Sequence, residues 1–384
     1  MRNQVPPSSD EEYDNHSDIL SPSHSSFHNW WRSAKEFDEN GNLKLDYSTI
    51  PITDLTPRLK VIREMERLAL TSTEGLDDLR HKLLSYRSGD FWLPIGGIKK
   101  EEMDIYPVIT ILLVGFSGAG KSSIINLMYS VLGRSGLIPF THTSAGEYKS
   151  MFMEEHNVLR SMRSGFCVYD SIGLDYSQLG ESLEGVNDWM IAGVQHHQLY
   201  HRPGVLEESL TSVPPTSRFA RRRVNCAVLV VNIAEVYKAF MIGDSKPLES
   251  TKELLYATSI RKSNENPILI MTHGDKLTVE ERIDGRIKIC EFLGVSETSG
   301  AYDIVCLTEH GILAEESDPI TAYALTEAIY RALIFSDRTH SPKTAFMDYF
   351  LDFLNLIICF VAGIFTYLAH FFTQLADPNK LKRM

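Results

Sequence analysis

The eight residues Gly115-Phe116-Ser117-Gly118-Ala119-Gly120-Lys121-Ser122 concentrate more chemistry than any other stretch of this chain. They fit the pattern G-x-x-x-x-G-K-[ST]. Glycines let a backbone curl until successive N–H groups converge on an anion. A lysine ammonium adds charge, a serine hydroxyl can ligate Mg²⁺, and a following helix contributes the positive end of its dipole. The apolar run "ILLV" precedes the motif and a helical pattern follows it, which is the setting the motif requires. Ser117, Gly118, Ala119, Gly120, Lys121, Ser122 and Ser123 are therefore candidate phosphate-binding residues.

Three further groups bear on which nucleotide those residues would hold. Asp170-Ser171-Ile172-Gly173 closes the apolar run "FCVY". Asp170 is placed to reach a Mg²⁺ through water, and Gly173 leaves a backbone N–H free for a γ-phosphate. Thr272-His273-Gly274-Asp275 follows the run "PILIM". Asp275 can accept hydrogen bonds from the N1–H and 2-amino group of guanine, which adenine cannot offer. Thr272 would support it, and the His273 imidazole could stack on the base. Between these groups, "PFTHTSAGE" offers Thr141 and Thr143 as a further Mg²⁺ ligand, of which Thr143 is taken forward. An ATP-using protein, with Asp275 unrelated to the base, is the competing reading. A non-catalytic scaffold that keeps nucleotide for stability is another.

The elements that must position these residues are an alternation of apolar runs and helical patterns from about residue 106 onward. The runs are "VITILLVG", "FCVYD", "CAVLVVN", "PILIMTH" and "DIVCLT". Helical patterns fall at about 121–132, 181–199, 246–262, 279–293 and 319–335. Uninterrupted apolar strands between helices imply a mostly parallel sheet covered on both faces, an α/β fold. Before it, "TPRLKVIREMERLAL" and "EGLDDLRHKLLSYR" suggest two helices broken by "STEG". The expected divisions are a disordered acidic tail over 1–45, a helical preface over 46–105 and the nucleotide domain over 106–336. A linker over 337–352, a transmembrane helix over 353–376 and a short basic tail over 377–384 complete them.

The order of strands, helices and motifs over 106–336 resembles the translation-factor-related GTPase class. That resemblance implies a Ras-like P-loop G domain with GTP or GDP and Mg²⁺ as cofactors. "GFSGAGKSS", "DSIGL" and "MTHGDK" are similar to motifs of the interferon-induced protein 44 family and its plant P-loop relatives. Leu174 departs from the Ras-like pattern, because it stands where a glutamine often orients the attacking water. GTPases with an apolar residue there hydrolyse slowly or take catalytic groups from elsewhere, often a second G domain, so a homodimer through G domains is implied. An arginine from 218–223 could act as a finger, although a solvated basic patch is the plainer reading. These motifs assign no catalytic residue. His196, His197 and His201 read as a polar helix face rather than a metal site.

The rest of the chain sets bounds. A net charge of −12 over 384 residues argues against broad nucleic-acid binding. The five cysteines are dispersed without metal spacing and read as free thiols. The "DENGNLKLD" stretch lacks the placement of a calcium loop. The uncharged run "FLNLIICFVAGIFTYLAHFFTQLA" at 353–376 has the length to cross a bilayer. Followed by "DPNKLKRM", it suggests a single-pass, tail-anchored protein with a cytosolic G domain, on a membrane the sequence does not name. A surface-lying amphipathic helix is the alternative.

Overall fold

The computed structural model describes residues 29–44, 50–94, 99–133, 141, 152–159, 165–199, 220–263, 267–306, 318–340, 342–343 and 346–376. Among the described residues seven strands form one sheet. They are β1 (Ile109–Val114), β2 (Phe152–His156), β3 (Phe166–Asp170), β4 (Gln198–Leu199), β5 (Cys226–Asn232), β6 (Ile268–Thr272) and β7 (Ala301–Asp303). Their order is β4-β2-β3-β1-β5-β6-β7. β3, β1, β5, β6 and β7 run parallel, whereas β2 lies antiparallel to both β3 and β4. β1, β3 and β6 are buried along their whole length, as continuous apolar runs require when both faces of a sheet are covered.

The nine helices of the described residues are α1 (Pro57–Ser85), α2 (Lys121–Val131), α3 (Leu179–Ala192), α4 (Ile233–Met241), α5 (Lys246–Tyr256), α6 (Thr258–Ser263), α7 (Val279–Leu293), α8 (Pro319–Arg338) and α9 (Phe346–Ala376). Strand periodicity sorts the core into two layers. Ile109, Ile111 and Leu113 join the layer built with α1, α2 and α8. Leu112 and Val114 face the layer built with α3, α4, α5 and α7.

Several expectations change. The two preface helices are one continuous α1, and "STEG" lies inside it. Gly75 is there for close approach: a Cβ would sit 2.9 Å from the Tyr323 ring of α8. Thr71 and Ser72 turn their hydroxyls back onto helix carbonyls. The packed chain begins before residue 45, because Trp30–Ser33 form a 3-10 turn with Trp30 and Trp31 in the core. The helix expected over 181–199 stops at Ala192, and His196 and His197 occupy a turn ahead of β4. The pattern over 246–262 breaks into α5 and α6, and α4, β2 and β4 were not foreseen.

The expected linker over 337–352 overlaps the helices on either side, with α8 ending at Arg338 and α9 starting at Phe346. The run 353–376 is helical, within α9. Among the described residues, however, no helix is long and apolar enough to cross a membrane. This overturns the single-pass, tail-anchored placement and its transmembrane helix. Asn355, His370 and Gln374 interrupt the apolar run, and Asp348 and Asp352 belong to the same helix.

Candidate functional site

The site lies where the carboxyl ends of β1, β3, β5 and β6 meet, the usual place for a ligand in an open α/β sheet. β1 delivers the glycine-rich loop, and α2 starts at Lys121. Gly118 and Gly120 hold φ of 79° and 88°, so the loop needs residues that accept the left-handed region. The first-turn N–H groups of α2 have no intrahelical acceptors and open toward the loop. That is the backbone geometry of an anion-binding nest.

Lys121 is buried, and its Nζ donates to the carbonyls of Gly115 (2.9 Å) and Phe116 (3.3 Å). Burial pulls the amine down to about 8, against the opposing pull of Asp170. Ser122 Oγ donates to Asp170 Oδ2 at 2.6 Å. Burial raises the Asp170 carboxyl, while Lys121 and Ser122 hold it down. Its second oxygen, Oδ1, is buried with no hydrogen-bond partner. An orphaned carboxylate oxygen beside a serine hydroxyl fits a hard divalent cation. Ser122 and Asp170 are the residues that would hold a Mg²⁺. Bound there, the ion would supply positive charge against phosphate oxygens.

Beyond Asp170 the chain returns along the glycine-rich loop. Ser117 N–H donates to Leu174 O at 2.9 Å, and Leu174 N–H donates to Gly115 O at 3.2 Å. Phe116 and Leu174 thus form a parallel bridge that extends the β1–β3 pairing. Gly173 makes this possible, since a Cβ would lie 2.9 Å from Ser117 Cα. Phe116 stacks on Tyr176 with ring centroids 3.9 Å apart, which pins the next turn to the same loop. Leu174 is buried in the sheet's second core layer, so its side chain serves packing.

β6 brings the loop of Thr272 to Lys276 to the same place. Thr272 Oγ1 donates to Ala119 O at 2.7 Å and lies 2.8 Å from His273 Nδ1. His273 holds φ of 60°, an uncommon conformation for a non-glycine residue. Its Cε1 is 3.3 Å from where a Cβ on Gly120 would stand. Burial lowers its pKa. Asp275 is exposed on the 3-10 turn Gly274–Lys276.

The structure therefore gathers Ser117 to Ser123, Asp170, Gly173, Thr272, His273 and Asp275 around the carboxyl ends of β1, β3 and β6 and the start of α2. Thr143 lies outside the described residues, as do His201, Arg218 and Thr308. Thr141 is buried elsewhere: its backbone exchanges two 2.9 Å bonds with the Asn126 side chain of α2. Arg222 pairs with Glu155 and Arg223 lies over Tyr106, so these two arginines brace the sheet edge and its flank. Among the described residues no group of three His, Cys, Asp or Glu could hold a metal. Sequence reasoning missed Asn232, whose Nδ2 reaches Gly118 O at 3.4 Å while its Oδ1 caps α4. The signal was present as Asn-x-x-Glu at the end of "CAVLVVN".

No protein-family model matches the chain, and no curated protein matches it. Solved structures show distant likenesses. One is a probable GTP-binding protein engB, at 16% identity over 58% of this chain and 98% of that one, with a TM-score of 0.30. Another is Toc33 from Arabidopsis thaliana in complex with GDP and Mg²⁺, at 15%, 62% and 88%, also 0.30. A third is the signal recognition particle receptor SRb-GTP/SRX complex from Chaetomium thermophilum, at 16%, 52% and 90%, with 0.26. Likenesses this distant carry no weight for function. The chain's own strand order is that of an open, mostly parallel α/β sheet with a glycine-rich loop after its central strand.

Proposed function

We propose that the chain is a guanine-nucleotide-binding switch or slow GTPase. Lys121 and the loop N–H groups hold phosphates, Ser122 and Asp170 manage Mg²⁺, and Gly173 meets the third phosphate. Asp275 selects guanine, with Thr272 and His273 supporting the base. The observation that carries this reading is the Thr272 hydroxyl bonded to Ala119 O, which brings the base-side loop against the phosphate loop. Slow turnover follows from Leu174, a buried side chain that cannot orient water. Kinship with the interferon-induced protein 44 family rests on three short motifs.

Equilibrium titration of the full chain with GTP and ATP, each with Mg²⁺, tests the reading. GTP should bind at least about tenfold tighter, the value of one charge-assisted hydrogen bond. Turnover should be on the order of 10⁻³ s⁻¹ or slower unless a second copy supplies groups. In that case specific activity rises with protein concentration. Preference for ATP, or no nucleotide binding, would sink the proposal.

A further inference from the structure

The loop that carries Asp275 does not stand alone. Gly274 lies directly on Arg282: a Cβ there would be 2.4 Å from Arg282 Nε and 3.0 Å from Asp303 Oδ1. Arg282, on α7, is buried and doubly bonded to Asp303, through Nε at 2.6 Å and Nη2 at 2.7 Å. Its Cζ also sits 4.0 Å from the centre of the Trp30 ring. Trp30 comes from the segment ahead of α1, which is fixed independently: Trp31 Nε1 donates to Glu66 at 2.9 Å, and Arg32 pairs with the same carboxylate. The Arg282–Asp303 pair thus meets both the loop that carries Asp275 and an aromatic ring from the segment ahead of α1.

We infer that the segment around Trp30 is a positioning element for guanine recognition, acting through the Arg282–Asp303 pair on the Gly274–Asp275 turn. The inference rests on the proposed guanine-reading role of Asp275. Geometry gives the cause. A guanidinium desolvated between a carboxylate and an aromatic face is held in one plane, and cation–π contact is strongest when desolvated. Remove the ring, and water reaches the pair. Arg282 then gains freedom, and the turn resting on it loses its fixed floor. Loops that read a base need placement within a fraction of an ångström. By linkage, a ligand that uses the turn must in return steady Trp30.

The test compares GTP with inosine triphosphate, which lacks the 2-amino group that Asp275 would read. The wild-type ratio of affinities measures base reading, while inorganic pyrophosphate measures the phosphate loop alone. Trp30→Ala should narrow the GTP-to-inosine ratio by about fivefold or more and leave pyrophosphate affinity unchanged. Trp30→Phe, which keeps a ring over Arg282, should restore much of the ratio. Hydrogen exchange on the wild-type chain supplies a second reading that needs no variant: residues 29–37 should be slowed by GTP and not by pyrophosphate. An unchanged ratio in a folded Trp30→Ala protein overturns the inference, as does equal protection by both ligands. A wild-type chain with no preference for GTP over inosine triphosphate overturns the Asp275 reading itself, and this inference with it.

Discussion

Lys121 shows what the proposed phosphate site would cost the protein before any phosphate arrives. Its amine is buried against two loop carbonyls and an aspartate already shared with Ser122. Burial holds it at about 8, below its ordinary 10.5. Between those values the unfolded chain keeps a proton that the folded chain has released, so nucleotide-free stability should rise as pH goes from about 8 to 10.5. The gain is on the order of 3 kcal/mol at most. Nucleotide affinity should run the other way, falling as pH passes about 8, because an uncharged amine offers a phosphate little. Thermal unfolding and nucleotide titration across this range, for wild type and Lys121→Met, check both signs. If the variant keeps the same pH dependence, Lys121 is not its source.

Elements set how closely those residues approach. α1 and α8 pack against each other around Gly75, where the Tyr323 ring fills the space of a side chain. Gly75→Leu should cost about 2–3 kcal/mol through overpacking, although leucine is the better helix former. Denaturant unfolding reads this directly, and a neutral result would mean that the two helices part easily. The same contact explains a misreading. Sequence pattern locates β1, β3, β5 and β6, because continuous apolar runs are local signals, whereas β7 (Ala301–Asp303) meets the expected run "DIVCLT" only at Asp303. The pattern breaks α1 at "STEG" because propensity penalises glycine, and only a partner helix 248 positions away in sequence rewards it. β2 escapes notice because "FMEEH" is a short strand rich in acidic residues, with Glu155 held by Tyr169 and Arg222. Asp170 and Ser122 are legible as separate motifs, whereas their hydrogen bond and the stranded Oδ1 belong to the assembled sheet.

At the scale of the molecule, the two ends behave differently. The N-terminal segment is built into the core through Trp31, which is fully buried. α9 is the opposite: its described side chains, such as Phe360 at 70% and Tyr367 at 73% exposure, face solvent. Among the described residues, the chain leading to it is strapped at its root, where Met103 bridges Pro342 and Lys343 reaches Glu101 and Glu102. Removing residues 346–384 should therefore shift the melting temperature by no more than about 2 °C and leave nucleotide affinity intact. Calorimetry on full and shortened chains checks this, and a larger drop would mean that α9 supports the sheet.

The Thr272–Ala119 hydrogen bond also limits how such a site can be redesigned. It fastens the loop that would choose the base to the loop that would grip the phosphates, so replacing Thr272 leaves a carbonyl of the phosphate loop without its donor. Selectivity and grip would then drift together, and a variant chosen for a new base would come out weak for every nucleotide. Asp275 stands exposed outside that fastening. If Asp275 reads the base as proposed, an engineer redirecting this domain toward another purine would have one position to rewrite and a neighbouring one to leave untouched.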